Sequence, residues 1–193
     1  MEEKKFFLET KIIAKNKIYF KEIDSTQIQA KQLAEKNIEN GTIVITDYQT
    51  GGIGTHGRSW YSEREKNLAF SLIIYPKCTI QKLDTLSIDI ARCITRAIEK
   101  LYGYKLSIKT PNDIIYNKKK MGGILTQIVT NGKKIKYLIV GIGFNVNGEN
   151  FPEELKEIAT SMKLEFRKEF SRVEILNEFC NLFEEYCILN KII

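Results

Sequence analysis

The chain has 193 residues, 43% of them hydrophobic, which suits one domain able to bury its own core without disulfides or a structural metal. Four cysteines with no C-x-x-C pair and a single histidine, His56, exclude a tetrahedral Cys/His zinc site and leave little scope for a Ser-His-Asp hydrolase. The formal charge of +6 suits nucleic acid, a membrane surface, a phosphate-bearing small molecule or simply a lysine-rich solvated surface, and does not choose among them.

The N-terminal MEEKKFFLET opens on charge with no apolar signal region, and no apolar run reaches bilayer length, so a cytoplasmic protein is expected. Ile18 to Ile23 alternates as a strand does; Asp24-Ser25-Thr26 then offers capping groups before a helix with Ile28, Leu33 and Ala34 on one face. Gly41 ends that region, TIVITDY reads as a buried strand, and a loop from Gln49 to Ser59 leads into the apolar run Leu68 to Tyr75.

Residues 83 to 101 place Leu83, Leu86, Ile90, Ile94, Ala97, Ile98 and Leu101 at helical spacing, with Gly103 as the stop. LSIKT, DIIY, GGILTQIVT and KKIKYLIVGIGFNV come next as four strands of an antiparallel meander, with turns at Asn117 to Lys119 and Asn131-Gly132. Arg172 to Leu189 puts Val173, Leu176, Phe179, Cys180, Phe183, Tyr186 and Cys187 on one side of a long covering helix. The expected architecture is α+β, a mostly antiparallel sheet with helices packed largely on one face, in a single domain spanning residues 1–193.

Three segments have the composition of ligand sites. Gly52-Ile53-Gly54-Thr55-His56-Gly57 formally matches G-x-G-x-x-G, yet the next residues, RSWYSEREK, open no βαβ unit, and no Gly-Lys-Ser/Thr closes a P-loop. There remains a glycine loop ending on Arg58 that can bring backbone N–H groups and a guanidinium to an anion, or a flexible surface loop. Lys109-Thr110-Pro111-Asn112-Asp113 precedes a hairpin that returns Lys120 beside Asn112, a cation and an amide together; the alternative is a solvated lysine turn over 118–120. Gly141 and Gly143 inside a strand cost stability unless something must come close, or they mark a bulge.

Asp24-Ser25-Thr26 before a helix, DYQTGGIGTHGRSW, KTPND, KMGGIL and GIGFNVN, in this order, resemble the biotin protein ligase family from about Ile18 to Leu189. The resemblance implies a class II synthetase-like catalytic domain using ATP, biotin and Mg²⁺. By position, Ser25, Thr26, Gln27 and Gln49 resemble the partners of the biotin ureido ring, with Ile53, Gly54 and Thr55 lining the ligand through their backbone. Arg58 and Trp60 would meet the ATP phosphates and adenine, and Asn112 and Asn145 the nucleotide and its metal, with no protein metal site as such. Lys120 would lie between the biotin carboxylate and the α-phosphate, and Gly122, Gly123, Gly141 and Gly143 would form close-fitting walls.

Ile53 and Thr55 stand where the family usually has arginine, and Thr110 where it usually has tryptophan. The resemblance implies a short form, without the helix-turn-helix domain of the repressor members or a complete SH3-like C-terminal domain. Implied partners are a biotin carboxyl carrier protein of acetyl-CoA carboxylase or another biotin-dependent carboxylase, with no specific nucleic acid, no membrane, and a monomer or homodimer. The alternatives are a lipoate or octanoate ligase or transferase and a non-catalytic biotin- or nucleotide-binding module; no Arg-Arg pair precedes Gly51, and Arg58, Asn112 and Lys120 are all present.

Overall fold

A computed structural model describes residues 10–193; the charged opening of the chain, residues 1–9, lies outside the described residues. Strands β1 (Lys17–Phe20), β2 (Ile43–Thr46), β3 (Leu68–Ile74), β4 (Ser107–Lys109), β5 (Asp113–Tyr116), β6 (Lys119–Asn131) and β7 (Lys134–Phe144) form one sheet in the order β1-β2-β3-β7-β6-β5-β4. Only β1 and β2 run parallel; every other pairing is antiparallel, as the meander pattern predicts.

The helices divide unequally between the two faces. Helix α2 (Leu86–Tyr102) turns Leu86, Ile90, Ala91, Ile94, Ala97 and Ile98 inward, and Gly103 ends it in the left-handed conformation with its N–H bonded to Glu99 O at 2.8 Å. Helix α4 (Arg172–Leu189) has the limits expected from its apolar spacing, and Leu176, Phe179, Cys180, Phe183 and Cys187 are buried in the same core. Each fully buried side chain of this size contributes about 1.5–3 kcal/mol, so this layer dominates stability. A short helix, α3 (Met162–Phe166), comes after the turn that leaves β7.

Helix α1 (Thr26–Glu35) lies on the other face, in a smaller cluster of Ala30, Ala34, Val44, Ile73, Tyr137 and Ile139. Of the expected Ile28, Leu33 and Ala34 face, Ala34 is buried and Leu33 packs against this cluster, while Thr26, Gln27 and Ala30 are buried as well because the first turn packs polar groups toward a cavity. Strand β1 stops at Phe20, with Ile23 making only an isolated bridge to Gln49. The last hairpin turns on Gly132-Lys133, since Asn131 still pairs with Lys134.

Candidate functional site

The site opens on the α1 face, where Gly123, Gly141 and Gly143 leave a stretch of the sheet without side chains. A strand alternates its faces, so adjacent glycines part company. Gly123 of β6 pairs with Gly143 of β7, and both face the cavity. Gly122 pairs with Phe144 on the opposite face, where an added Cβ would meet the Phe144 ring at 2.7 Å; Gly122 is packing for the α2 side and does not line the cavity. At Gly143 a Cβ would overlap the Trp60 indole, and at Gly141 it would overlap Gln27 Oε1. These glycines leave the space that a tryptophan and a glutamine occupy.

At the polar end of the first cavity, Ser25 is the N-cap of α1 yet makes no capping bond, and its buried Oγ has no partner. The expected cap is therefore absent, and the hydroxyl is left for something else. Gln49 Oε1 accepts from Thr26 N at 2.8 Å, and the Thr26 hydroxyl lies 3.1 Å from that oxygen and 2.9 Å from Ser71 Oγ. With one proton, Thr26 can donate to only one of the two. Ser71 Oγ donates to Gln27 Oε1 at 3.1 Å, and Gln27 Nε2 donates to Gln127 Oε1 at 3.1 Å, so a chain of side chains fixes the end wall. Ser71 and Gln127 are not among the residues that the sequence singles out.

The glycine loop closes on itself. Trp60 N donates to Gly52 O at 2.8 Å and Gly54 N to Arg58 O at 2.7 Å, while His56 and Gly57 turn the chain with φ of 58° and 73°. Arg58 folds back, its Nε on Thr55 O at 3.2 Å and a terminal nitrogen on Thr55 Oγ1 at 3.1 Å. Trp60 lies against Gly143 and Gly123 with its Nε1 buried and unpartnered. About 40 Å³ of open space remains in this cavity, room for little more than water, so a ligand must move the loop and its indole.

A second cavity of about 180 Å³ adjoins the first and shares Gly54, Thr55, Trp60 and Lys120 with it. Arg58, Asn145, Phe151, Leu155 and Ile158 are among the rest of its lining. Lys120 stands at the junction, its Nζ 2.7 Å from Asp113 Oδ1 and 5.4 Å from the Trp60 ring centre. Its backbone is pinned by Lys120 N to Ile158 O at 2.8 Å and Thr160 N to Lys120 O at 2.9 Å. Asn112 lines the first cavity, with its Nδ2 bonded to Ile124 O at 2.9 Å. Asn145 donates to Thr160 O at 3.0 Å, which leaves its buried Oδ1 without a partner. Of the residues named from sequence, all but Gly122 line one or other cavity.

The turn after β7 forms the outer wall of the second cavity and is held by residues that lie just beyond the glycine loop. Asn67 Oδ1 accepts from Val146 N and Gly148 N, both at 3.0 Å. Glu63 accepts from Glu149 N at 2.8 Å, Asn150 N at 3.0 Å and Asn150 Nδ2 at 2.9 Å. Burial raises the Glu63 pKa, but these donors outweigh burial and hold it below the usual carboxylate value.

Residues 19–145 match the model of the biotin/lipoate A/B protein ligase family. The chain belongs to that family. Among family members, it is 37% identical over 185 residues to the bifunctional ligase/repressor BirA of Bacillus spizizenii, a match covering 95% of this chain and 57% of that protein. The chain thus spans little more than half the length of this curated relative. The biotin protein ligase of Aquifex aeolicus in complex with biotin and ATP superposes with a TM-score of 0.78 at 33% identity, over 92% of this chain and 72% of that one. The Leishmania major biotin protein ligase in complex with biotinyl-5-AMP gives 0.75 at 26% identity, over 91% and 76%. The biotin/lipoate ligase fold is therefore common to all three.

Proposed function

We propose that this protein is an ATP-dependent ligase that activates biotin as biotinyl-5′-AMP and transfers the biotinyl group to a lysine of a biotin carboxyl carrier protein. The observation that carries the reading is the pair of adjoining cavities that meet at Lys120 and Trp60, one narrow with a buried polar end, the other wider and bearing Arg58. A ligand seated with its polar ring at Ser25, Thr26 and Gln49 would extend its acid chain toward Lys120. The ureido group of biotin offers both acceptor and donors, which suits an unpartnered hydroxyl beside one that can satisfy only one of two neighbours. A dithiolane ring offers neither and would leave Ser25 Oγ buried and unsatisfied.

In the first step the biotin carboxylate attacks the α-phosphorus of ATP and pyrophosphate leaves. Two anions must approach, so cations at the junction lower the barrier by meeting charge as it develops. Lys120 serves this role by exchanging its contact with Asp113 for the reacting oxygens, and Arg58 by releasing Thr55. In the second step the neutral amine of the acceptor lysine attacks the acyl carbon, AMP departs, and the amine proton is lost. Positioning supplies most of that acceleration because AMP is a good leaving group.

Among the described residues no three His, Cys, Asp or Glu side chains gather as a metal site. Magnesium held mainly by nucleotide phosphates needs few protein ligands, and the free Asn145 Oδ1 in the second cavity fits as one of them. Bound there, the ion would add positive charge beside the phosphates. All seven described strands join one sheet, which supports reading the chain as one catalytic domain. No described helix is long and apolar enough to cross a membrane, and a cytoplasmic carboxylase is the natural acceptor. Incubation with MgATP, biotin and a carrier domain tests the transfer: mass spectrometry should find one biotinyl group on a single carrier lysine. An unmodified carrier alongside accumulating adenylate would refute the acceptor assignment.

A further inference from the structure

We propose that Glu63 is a positioning residue for the nucleotide, clamping the turn after β7 so that its apolar side chains form the wall of the second cavity. The proposal rests on the reading of that cavity as the nucleotide subsite. Glu63 lies three residues beyond Trp60, in the segment that leaves the glycine loop, and its two oxygens accept from Glu149 N, Asn150 N and Asn150 Nδ2. Tyr61 OH donates to Asn150 O at 2.7 Å, and its ring centre is 6.1 Å from that of Phe151. The backbone N–H and C=O of Asn150 are thus both held by side chains from 61–63. The next residue is Phe151, which with Leu155 and Ile158 supplies the apolar part of the second cavity.

Several features distinguish this contact from ordinary surface bonding. Glu63 makes three charge-assisted bonds, none of them to a side-chain cation, and all end on the two residues before the cavity wall. It is outside the hydrophobic core, so its removal opens no void there. Ile158 remains 60% exposed, an apolar surface that a stacked base would cover once the wall is in place. The clamp also joins the wall to the loop carrying Trp60, so the two sides of the second cavity are set by one short segment, Trp60 to Glu63.

The test uses the full chain and the variants Glu63→Ala and Glu63→Gln, with amide hydrogen exchange, calorimetric titration by biotin and by MgATP, and pyrophosphate release. For Glu63→Ala the amides of Glu149 and Asn150 should exchange faster. The KM and Kd for ATP should rise roughly tenfold, the equivalent of about one hydrogen bond, with kcat and biotin Kd changed less than about twofold. Glu63→Gln, which keeps an acceptor oxygen without the charge, should fall between. Unchanged ATP affinity, unchanged exchange, or equal losses of biotin and ATP binding would each overturn the proposal. Wild-type protein that binds MgATP but releases no pyrophosphate with biotin would remove the ligase reading and leave the clamp to be judged on ATP affinity. Wild-type protein that binds no ATP would overturn both.

Discussion

Gly141→Ala isolates the end wall of the first cavity. Gly141 is within β7, where alanine suits the backbone, so the effect must come from its methyl group, which would overlap Gln27 Oε1. Gln27 is 5% exposed and held by Ser71 Oγ and Gln127, each at 3.1 Å; both bonds must break for the amide to move. Two side-chain hydrogen bonds at about 0.5–1.5 kcal/mol each give a cost of roughly 1–3 kcal/mol. For a chain of this size that lowers Tm by about 2–12 °C. Ser71 would then turn its proton toward Thr26, and biotin affinity should fall roughly two- to tenfold through the altered hydroxyl pair. Gly51→Ala is the control, since a Cβ there would meet nothing nearer than Asp24 O at 3.7 Å. Scanning calorimetry and biotin titration provide the readouts; Gly141→Ala with the Tm and biotin Kd of the control would show that Gln27 does not set the wall.

Lys120→Ala should retain the fold, because the side chain is at a hairpin junction outside the core, yet lose pyrophosphate release by at least a hundredfold, about 2.7 kcal/mol of transition-state stabilisation. Near wild-type release would contradict the role given to it. Trp60 is the sole tryptophan and must shift when the first cavity fills, so biotin alone should change the emission of the protein, and a flat titration with bound biotin would show entry by another route. Glu63 has a lowered folded pKa, so its stabilising contribution is complete above the ordinary carboxylate value and is lost as pH falls through the lower folded value. Glu63→Gln should accordingly remove part of the loss of stability as pH falls below the ordinary carboxylate range; an acid limb identical to wild type would argue against it. Burial pushes the Cys93 thiol up to about 12 and those of Cys180 and Cys187 higher still, so iodoacetamide should modify half-buried Cys78 well before the other three in the native state, as peptide mapping would reveal.

The parts legible in the sequence are those where one period governs a long segment. Helix α4 and the meander β4–β7 come directly from apolar spacing and turn residues. Spacing finds Leu33 and Ala34 of helix α1 but misses its buried first turn, which serves a cavity: Thr26 and Gln27 look like solvent residues until the groups across from them are known. Grouping Gly122 with Gly123 as a wall overlooks the two-residue period of a strand, which places neighbours on opposite faces. Ser71, Gln127 and Glu63 carry no local signal. Ser71 sits in an apolar strand, Gln127 pairs with a residue one hundred positions away, and Glu63 reads as one more surface charge in SEREK.

The most direct measurement mixes the purified chain with MgATP and either biotin or lipoate and monitors pyrophosphate release together with formation of the acyl adenylate. Release should depend on biotin, with stoichiometric biotinyl-5′-AMP on the protein and little response to lipoate. Equal or faster turnover with lipoate would contradict the assignment of the polar end of the first cavity to a ureido ring, and no adenylate with either acid would contradict the ligase reading itself.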